Sequence, residues 1–204
     1  MSDLLGFVGE GVCGRFTVVS HLGGNDFVVT FDDGYSKSAK RGAVLAGQVK
    51  NPNAITVSGV GYYGEGDFVC KKNGKDMIEY YIWNSVIKRC YDIKNQSKSN
   101  PTYAGCSVDP IWHNYQNFAS WYTSHRNFGK GYKLDKDLKV LGNKVYSPEF
   151  CDLIPNAVNV LLCDSGSKRG EYKIGVSFRE KTNRYYAQCH TGTITSTGKR
   201  KSEH

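Results

Sequence analysis

The chain has 204 residues, of which 39% are hydrophobic, 13% aromatic and 23% charged; this is enough for one compact domain with appendages or for two to three small modules, and too little for several large domains. Its mean hydropathy of -0.49 and the lack of any apolar run near ~18 residues exclude a membrane-spanning helix. Twenty-seven Lys and Arg against 19 Asp and Glu give a net charge of +8, which favours an anionic partner such as nucleic acid, although the same charge also serves as a solubilising surface.

The N-terminal segment MSDLLGFVGEG has no basic stretch followed by an apolar one, so no secretory signal is expected and a cytoplasmic location is. Cys13, Cys70, Cys90, Cys106, Cys151, Cys163 and Cys189 are odd in number and include no CxxC pair. They read as reduced thiols; a structural zinc on Cys90, Cys106, Cys151 and a His is the less favoured alternative.

Thirteen of the 23 glycines fall in residues 1–66, where period-two patterns are densest. Phe16, Val18 and Ser20 are expected on one strand face, Gly23-Gly24-Asn25-Asp26 as a turn, and Phe27, Val29 and Phe31 on one face of the next strand. With a further strand from Tyr35 and an apolar run at Val44–Val49, the segment predicts a small SH3-like or Tudor-like β-barrel module over 1–66. From Asp76 the period becomes helical: Ile78, Ile82, Val86 and Cys90 recur every four residues beside Trp83 and Ile87. Asp76 and Glu79 have the spacing of a capping box. After the polar loop 95–102, a second helix is predicted over 114–125, led in by Ile111 and Trp112, with Phe118, Trp121 and Tyr122 on its core face.

Residues 132–138 (YKLDKDL) alternate as a strand, Gly142-Asn143 makes a turn, Ser147-Pro148-Glu149 starts a short helical turn, and CDLIP forms a return strand before the helix-compatible NAVNVLL. Asp135 and Asp137 would then share one side of their strand, as a metal site or as a solvated acidic face. Residues 164–204 hold nine Lys or Arg against four Asp or Glu, a net +5. Alternation at Ile174, Val176 and Phe178, then at Tyr185, Ala187 and Cys189 around a Lys181-Thr182-Asn183 turn, predicts a basic three-stranded β ribbon, an architecture that enters DNA grooves. Lys168, Arg169, Arg179, Lys181, Arg184, Lys199, Arg200 and Lys201 are its candidate DNA contacts.

No GxxxxGK[ST], GxSxG, HExxH or paired-Cys zinc spacing occurs, which leaves nucleotide hydrolysis, serine esterase and zinc protease readings without support. The strings YIWNSVIKRCYD (81–92), PTYAGCSVDPIWHNYQNFASWY (101–122), LDKD (134–137) and YSPEFC (146–151) resemble the phage-encoded HNH, or ββα-metal, homing-type endonucleases. The resemblance covers roughly residues 77–163. GVGYYGEG (59–66) is similar to the upstream part of such proteins, and GVSFREKTNRYYAQC (175–189) resembles the first two strands of an apetala-type DNA-binding domain.

The resemblance implies an α+β protein: the N-terminal β module (1–66), a ββα-metal core with flanking helices (67–163) and a shortened basic ribbon (164–204). It implies Asp135 on the first strand and Asn159 on the following helix as ligands of Mg²⁺ or Mn²⁺, which suit hard oxygen donors. It also exposes a departure. The general-base His is replaced by Lys136, and a lysine titrates near ~10.4, so it is protonated at neutral pH; the middle Asn falls at Cys151, with Asn143 as a nearby substitute. Asp137, His125 or His113 would have to supply the base, and Lys136 would neutralise phosphate. The expected function is metal-dependent cleavage of double-stranded DNA. The alternatives are an inactive HNH-derived DNA-binding regulator or anti-host factor, and a protein-binding module that works through its N-terminal part.

Overall fold

The computed structural model describes residues 3–92, 103–140, 142–162, 172, 176–191 and 194–200. The fold is mixed α+β, with small separate sheets and four α-helices among the described residues. It divides into two compact units: residues 1–125 with 143–149, and residues 126–142 with 150–204.

The first unit begins with a four-stranded antiparallel meander of β1 (Val8–Gly11), β2 (Gly14–Gly23), β3 (Asp26–Phe31) and β4 (Ser36–Lys40), in that spatial order. The sheet is open rather than closed into a barrel, because β1 and β4 remain its two edges. The apolar run Val44–Val49 of the expected β module begins inside α1 (Arg41–Leu45), and Val44 and Val49 join Leu4, Phe16, Val18, Phe27, Val29 and Phe31 in one buried cluster. Each such side chain contributes about 1.5–3 kcal/mol on burial. Close approach takes the place of a fifth strand: Gly11 and Gly47 pack backbone to backbone, and a Cβ on either would overlap the other residue or its neighbour. The alternation expected in β2 fails at one point. Val18 pairs with Val29 but Ser20 pairs with Val28, so Val19 is an extra, bulged residue and Ser20 moves to the face opposite Phe16 and Val18.

The chain then runs through a docked irregular segment. The buried Asn51 amide donates to Asp33 Oδ2 at 2.8 Å and its Oδ1 accepts from the Asn53 N–H at 2.9 Å. A two-stranded hairpin of β5 (Lys71–Lys72) and β6 (Lys75–Asp76) follows, closed by Asn73 and Gly74 at φ 52° and 75°. That is the positive-φ pair of a tight hairpin turn.

α2 (Ile78–Tyr91) buries Glu79, Trp83, Val86, Ile87 and Cys90. Two expectations need correction here. Asp76 does not cap this helix: it is taken up by β6 and by an ion pair with Lys71 at 3.3 Å, while Met77 holds the cap position without a side-chain hydrogen bond. The buried stripe is also rotated, so that Ile78 is exposed and Glu79 faces inward. A short 3₁₀ turn (Pro110–Trp112) leads into α3 (Tyr115–Ser124), whose start Asn114 caps by accepting from the Gln116 N–H at 2.9 Å. Trp83 Nε1 donates to the Trp112 carbonyl at 2.7 Å, and Trp112, Phe118 and Tyr122 pack ring against ring behind it. These aromatics are core. β7 (Ser107–Val108) runs parallel to β9 (Val145–Tyr146), which closes this unit.

In the second unit β8 (Lys133–Asp135) pairs antiparallel with β10 (Asp152–Ile154), and α4 (Asn156–Leu162) follows and lies against β8. The strand predicted over 132–138 is shorter than its alternation suggested and ends at Asp135. The ribbon of β11 (Val176–Arg179), β12 (Arg184–Thr191) and β13 (Ile194–Arg200) forms an antiparallel three-stranded sheet, as predicted.

Candidate functional site

The end of β8 explains its own chemistry. Asp135 is buried, and its Oδ1 accepts the N–H groups of Asp137 at 2.9 Å and Leu138 at 2.7 Å. A carboxylate bonding its own backbone two and three residues on folds the chain into a turn and stops the strand. Asp135 and Asp137 therefore do not line one strand face, contrary to expectation. Instead Lys136 and Asp137, both past the strand, reach each other: Lys136 Nζ donates to the two Asp137 oxygens at 2.8 and 2.7 Å. Lys136 is 8% exposed, so this is a shielded pair with the favourable geometry of two short charge-assisted contacts.

Asp135 Oδ2 has no hydrogen-bond partner among the described residues. Directly across the antiparallel pair stands Asp152. Opposed residues on an antiparallel pair hold their Cβ atoms within about 4.5–5.5 Å, and like charges there repel. The repulsion is offset on both sides, by the two backbone N–H groups on Asp135 and by Arg126, whose guanidinium lies 3.5 Å from Asp152 Oδ2. Asn127 steadies the same strand by donating to the Leu153 carbonyl at 2.9 Å. Asn159 is half-buried on α4, the helix that lies against β8. The donors thus gathered in this unit are hard oxygens, which fit Mg²⁺ or Mn²⁺ in chemical type. Among the described residues no three His, Cys, Asp or Glu side chains converge as a metal-holding group.

Asn143, His125 and His113 belong to the first unit. Asn143 folds onto its own loop, with Oδ1 accepting from the Val145 N–H at 3.0 Å and Nδ2 donating to the Val145 carbonyl at 2.7 Å. His125 ends α3 with its ring 5.2 Å from that of Trp121. His113 Nε2 lies 3.1 Å from the Val108 carbonyl oxygen and 3.4 Å from the Tyr91 hydroxyl, which ties β7 to α2. Cys90 and Cys106 of the first unit and Cys151 of the second are buried and form no disulfide.

In the ribbon Arg179, Lys181 and Arg184 are all exposed. Arg179 stands directly opposite Arg184, and its guanidinium carbon sits 4.5 Å from the centre of the Tyr186 ring. Two arginines facing each other are unfavourable in a free protein and favourable once an anion lies between them. Tyr186 was legible in the sequence as the residue two after Arg184, on the same strand face, yet only the stacked arginine gives it a role. On the other face Phe178 and Tyr185 pack at 4.9 Å, with Tyr172 against both. Lys199 and Arg200 occupy the β13 register positions beside Tyr186 and Tyr185. Lys168, Arg169 and Lys201 lie outside the described residues.

Among the described residues no helix is long and apolar enough to cross a membrane. No protein-family model matches the chain, and neither the curated proteins nor the solved structures searched contain a match.

Proposed function

We propose that the chain binds double-stranded DNA through its basic ribbon and carries an HNH-type core of the phage kind in which the position of the general base has been given over to an ion pair. The observation that carries this reading is the contact of Lys136 Nζ with both oxygens of Asp137. Lys136 stands at the position of the base as a hydrogen-bond donor, and its two contacts occupy the oxygens that Asp137 would need to take up a proton from water. On the DNA side, the facing Arg179 and Arg184 and the exposed Lys181 supply the guanidinium and ammonium groups that phosphate contacts require.

A second reading, metal-dependent phosphodiester hydrolysis, is favoured by one specific feature: the unengaged Oδ2 of Asp135 at the end of β8, opposite Asp152 and beside the helix carrying Asn159. A divalent ion there would polarise a scissile phosphate and stabilise the leaving oxygen. Asp135, Asp152 and Asn159 are the residues that would hold it.

One experiment separates the two. The full chain is incubated with supercoiled and linear DNA in Mg²⁺, Mn²⁺ or EDTA, with a gel shift on the same DNA. A shift without scission is the expected result. Metal-dependent nicking that disappears in Asp135→Ala assigns the hydrolytic reading, and the absence of any shift or scission overturns both.

A further inference from the structure

The β5–β6 hairpin, of sequence KKNGKD, is part of neither the β8–β10 pair nor the ribbon, and it carries uncompensated charge. Lys72 and Lys75 are direct cross-strand partners. Both are exposed, and neither forms an ion pair among the described residues. Only Lys71 is paired, to Asp76 at 3.3 Å. Facing like charges weaken a two-stranded hairpin, which has no packed core to spare, so the lysine pair does not serve the hairpin's own stability.

The surroundings extend the same charge. The hairpin runs straight into α2, whose positive dipole end receives no side-chain cap from Met77. Of the two acids near the start of that helix, Asp76 is taken by Lys71 and Glu79 is buried, so neither offsets the exposed lysines. Tyr81 is 62% exposed one turn into the helix, and the exposed Lys88 stands seven residues further along the same face.

We propose that Lys72 and Lys75, the facing pair of the hairpin that leads into α2, form a second contact surface for the phosphate backbone of double-stranded DNA, on the first unit and apart from the C-terminal ribbon. The proposal rests on the DNA-binding reading above. It makes the protein a two-surface binder, with at least two further phosphates neutralised beyond those met by Arg179 and Arg184.

The test compares the full-length wild type with Lys72→Gln/Lys75→Gln, Lys72→Arg/Lys75→Arg and Arg179→Gln/Arg184→Gln, by fluorescence anisotropy on a random-sequence duplex across a salt series. Two lost contacts lower the log-log salt slope by about 1.8 and weaken binding roughly 60-fold at 0.1 M salt. The expected result is that loss in the glutamine pair of the hairpin, recovery in the arginine pair, and an independent loss in the ribbon variant. Because both lysines are exposed, the thermal melt of all variants is expected to match wild type, and a gluing role inside the fold would show there instead. Wild-type slope and affinity in Lys72→Gln/Lys75→Gln, with the ribbon variant impaired, overturn this surface alone and free it for a protein partner. Loss in the hairpin variant with an unimpaired ribbon variant keeps this surface and overturns the ribbon. A wild type that binds no duplex overturns both.

Discussion

Lys136→His is the substitution that puts the HNH-type reading at greatest risk. At pH 7.5 an ordinary lysine is deprotonated to about 0.1% and an ordinary histidine is neutral to about 90%, a difference approaching three orders of magnitude in available base. A positioned general base is worth about 10²–10⁴ in rate. The substitution removes a lysine side chain that is only 10% exposed and leaves Asp137 without its two contacts, but the Asp137 side chain is 30% exposed and can be rehydrated. The cost therefore falls between that of an open pair and that of a buried one, about 1–3 kcal/mol. If β8, β10 and α4 form a ββα-metal scaffold and Asp135 and Asn159 its ligands, Lys136→His is expected to nick supercoiled DNA in Mn²⁺ at least 100-fold faster than wild type. The added Asp135→Ala change should abolish that gain. A folded Lys136→His protein that shifts DNA normally and nicks no faster than wild type refutes the assignment of position 136 to the base.

Three further outcomes follow from the fold. Trp83→Phe deprives the buried Trp112 carbonyl of its donor at 2.7 Å and leaves a void where the second ring of the buried indole packed, and a stability loss of at least about 1–3 kcal/mol is expected by urea titration; an unchanged midpoint would mean that the core refills the void and the carbonyl finds another donor. The Asn51 amide, then the Tyr35 N–H, hold the Asp33 carboxyl below its ordinary value. Its contribution to stability is thus present above the unfolded value near 3.8 and lost as pH falls through the lower folded one; Asn51→Ala should move the Asp33 titration up in a carboxyl NMR experiment, and no movement would sever that link. Burial, followed by the charge of Asp76, pushes the Cys70 thiol up to about 11. At pH 8 its alkylation should be about two orders of magnitude slower than that of a free cysteine, and stability should decline as pH rises from about 9 towards 11, a decline that Cys70→Ser removes.

What could be read in advance divides along physical lines. Phe27, Val29 and Phe31 announce β3 because one face of a sheet repeats every two residues, and the α2 and α3 aromatics announce helices for the corresponding reason. The Ser20 reversal was not readable, because a bulge adds a residue without leaving a compositional mark. Neither was the parallel contact of Ser107–Val108 with Val145–Tyr146, since a two-residue bridge has no period. The β5–β6 hairpin was readable: Asn73-Gly74 between short polar strands is a strong turn signal, and the helical pattern beginning at Asp76 obscured it.

At the site itself the residue types were visible and their pairings were not. Adjacent strand residues point to opposite faces, so Lys136 and Asp137 could meet only if the strand ended before them. It ends because Asp135 bonds the N–H groups of residues 137 and 138. One carboxylate thus sets two outcomes: it stops β8 at the point where Asp152 faces it, and it turns the next two side chains towards each other. Replacing Asp135 by Asn preserves an acceptor for those N–H groups while removing the negative charge, whereas Ala removes both. Asn is therefore expected to keep the Lys136–Asp137 pair and the melting temperature near wild type, with Ala losing about 1–3 kcal/mol; equal loss in both would show that repulsion or attraction of charge, not the turn, is what Asp135 contributes to the fold.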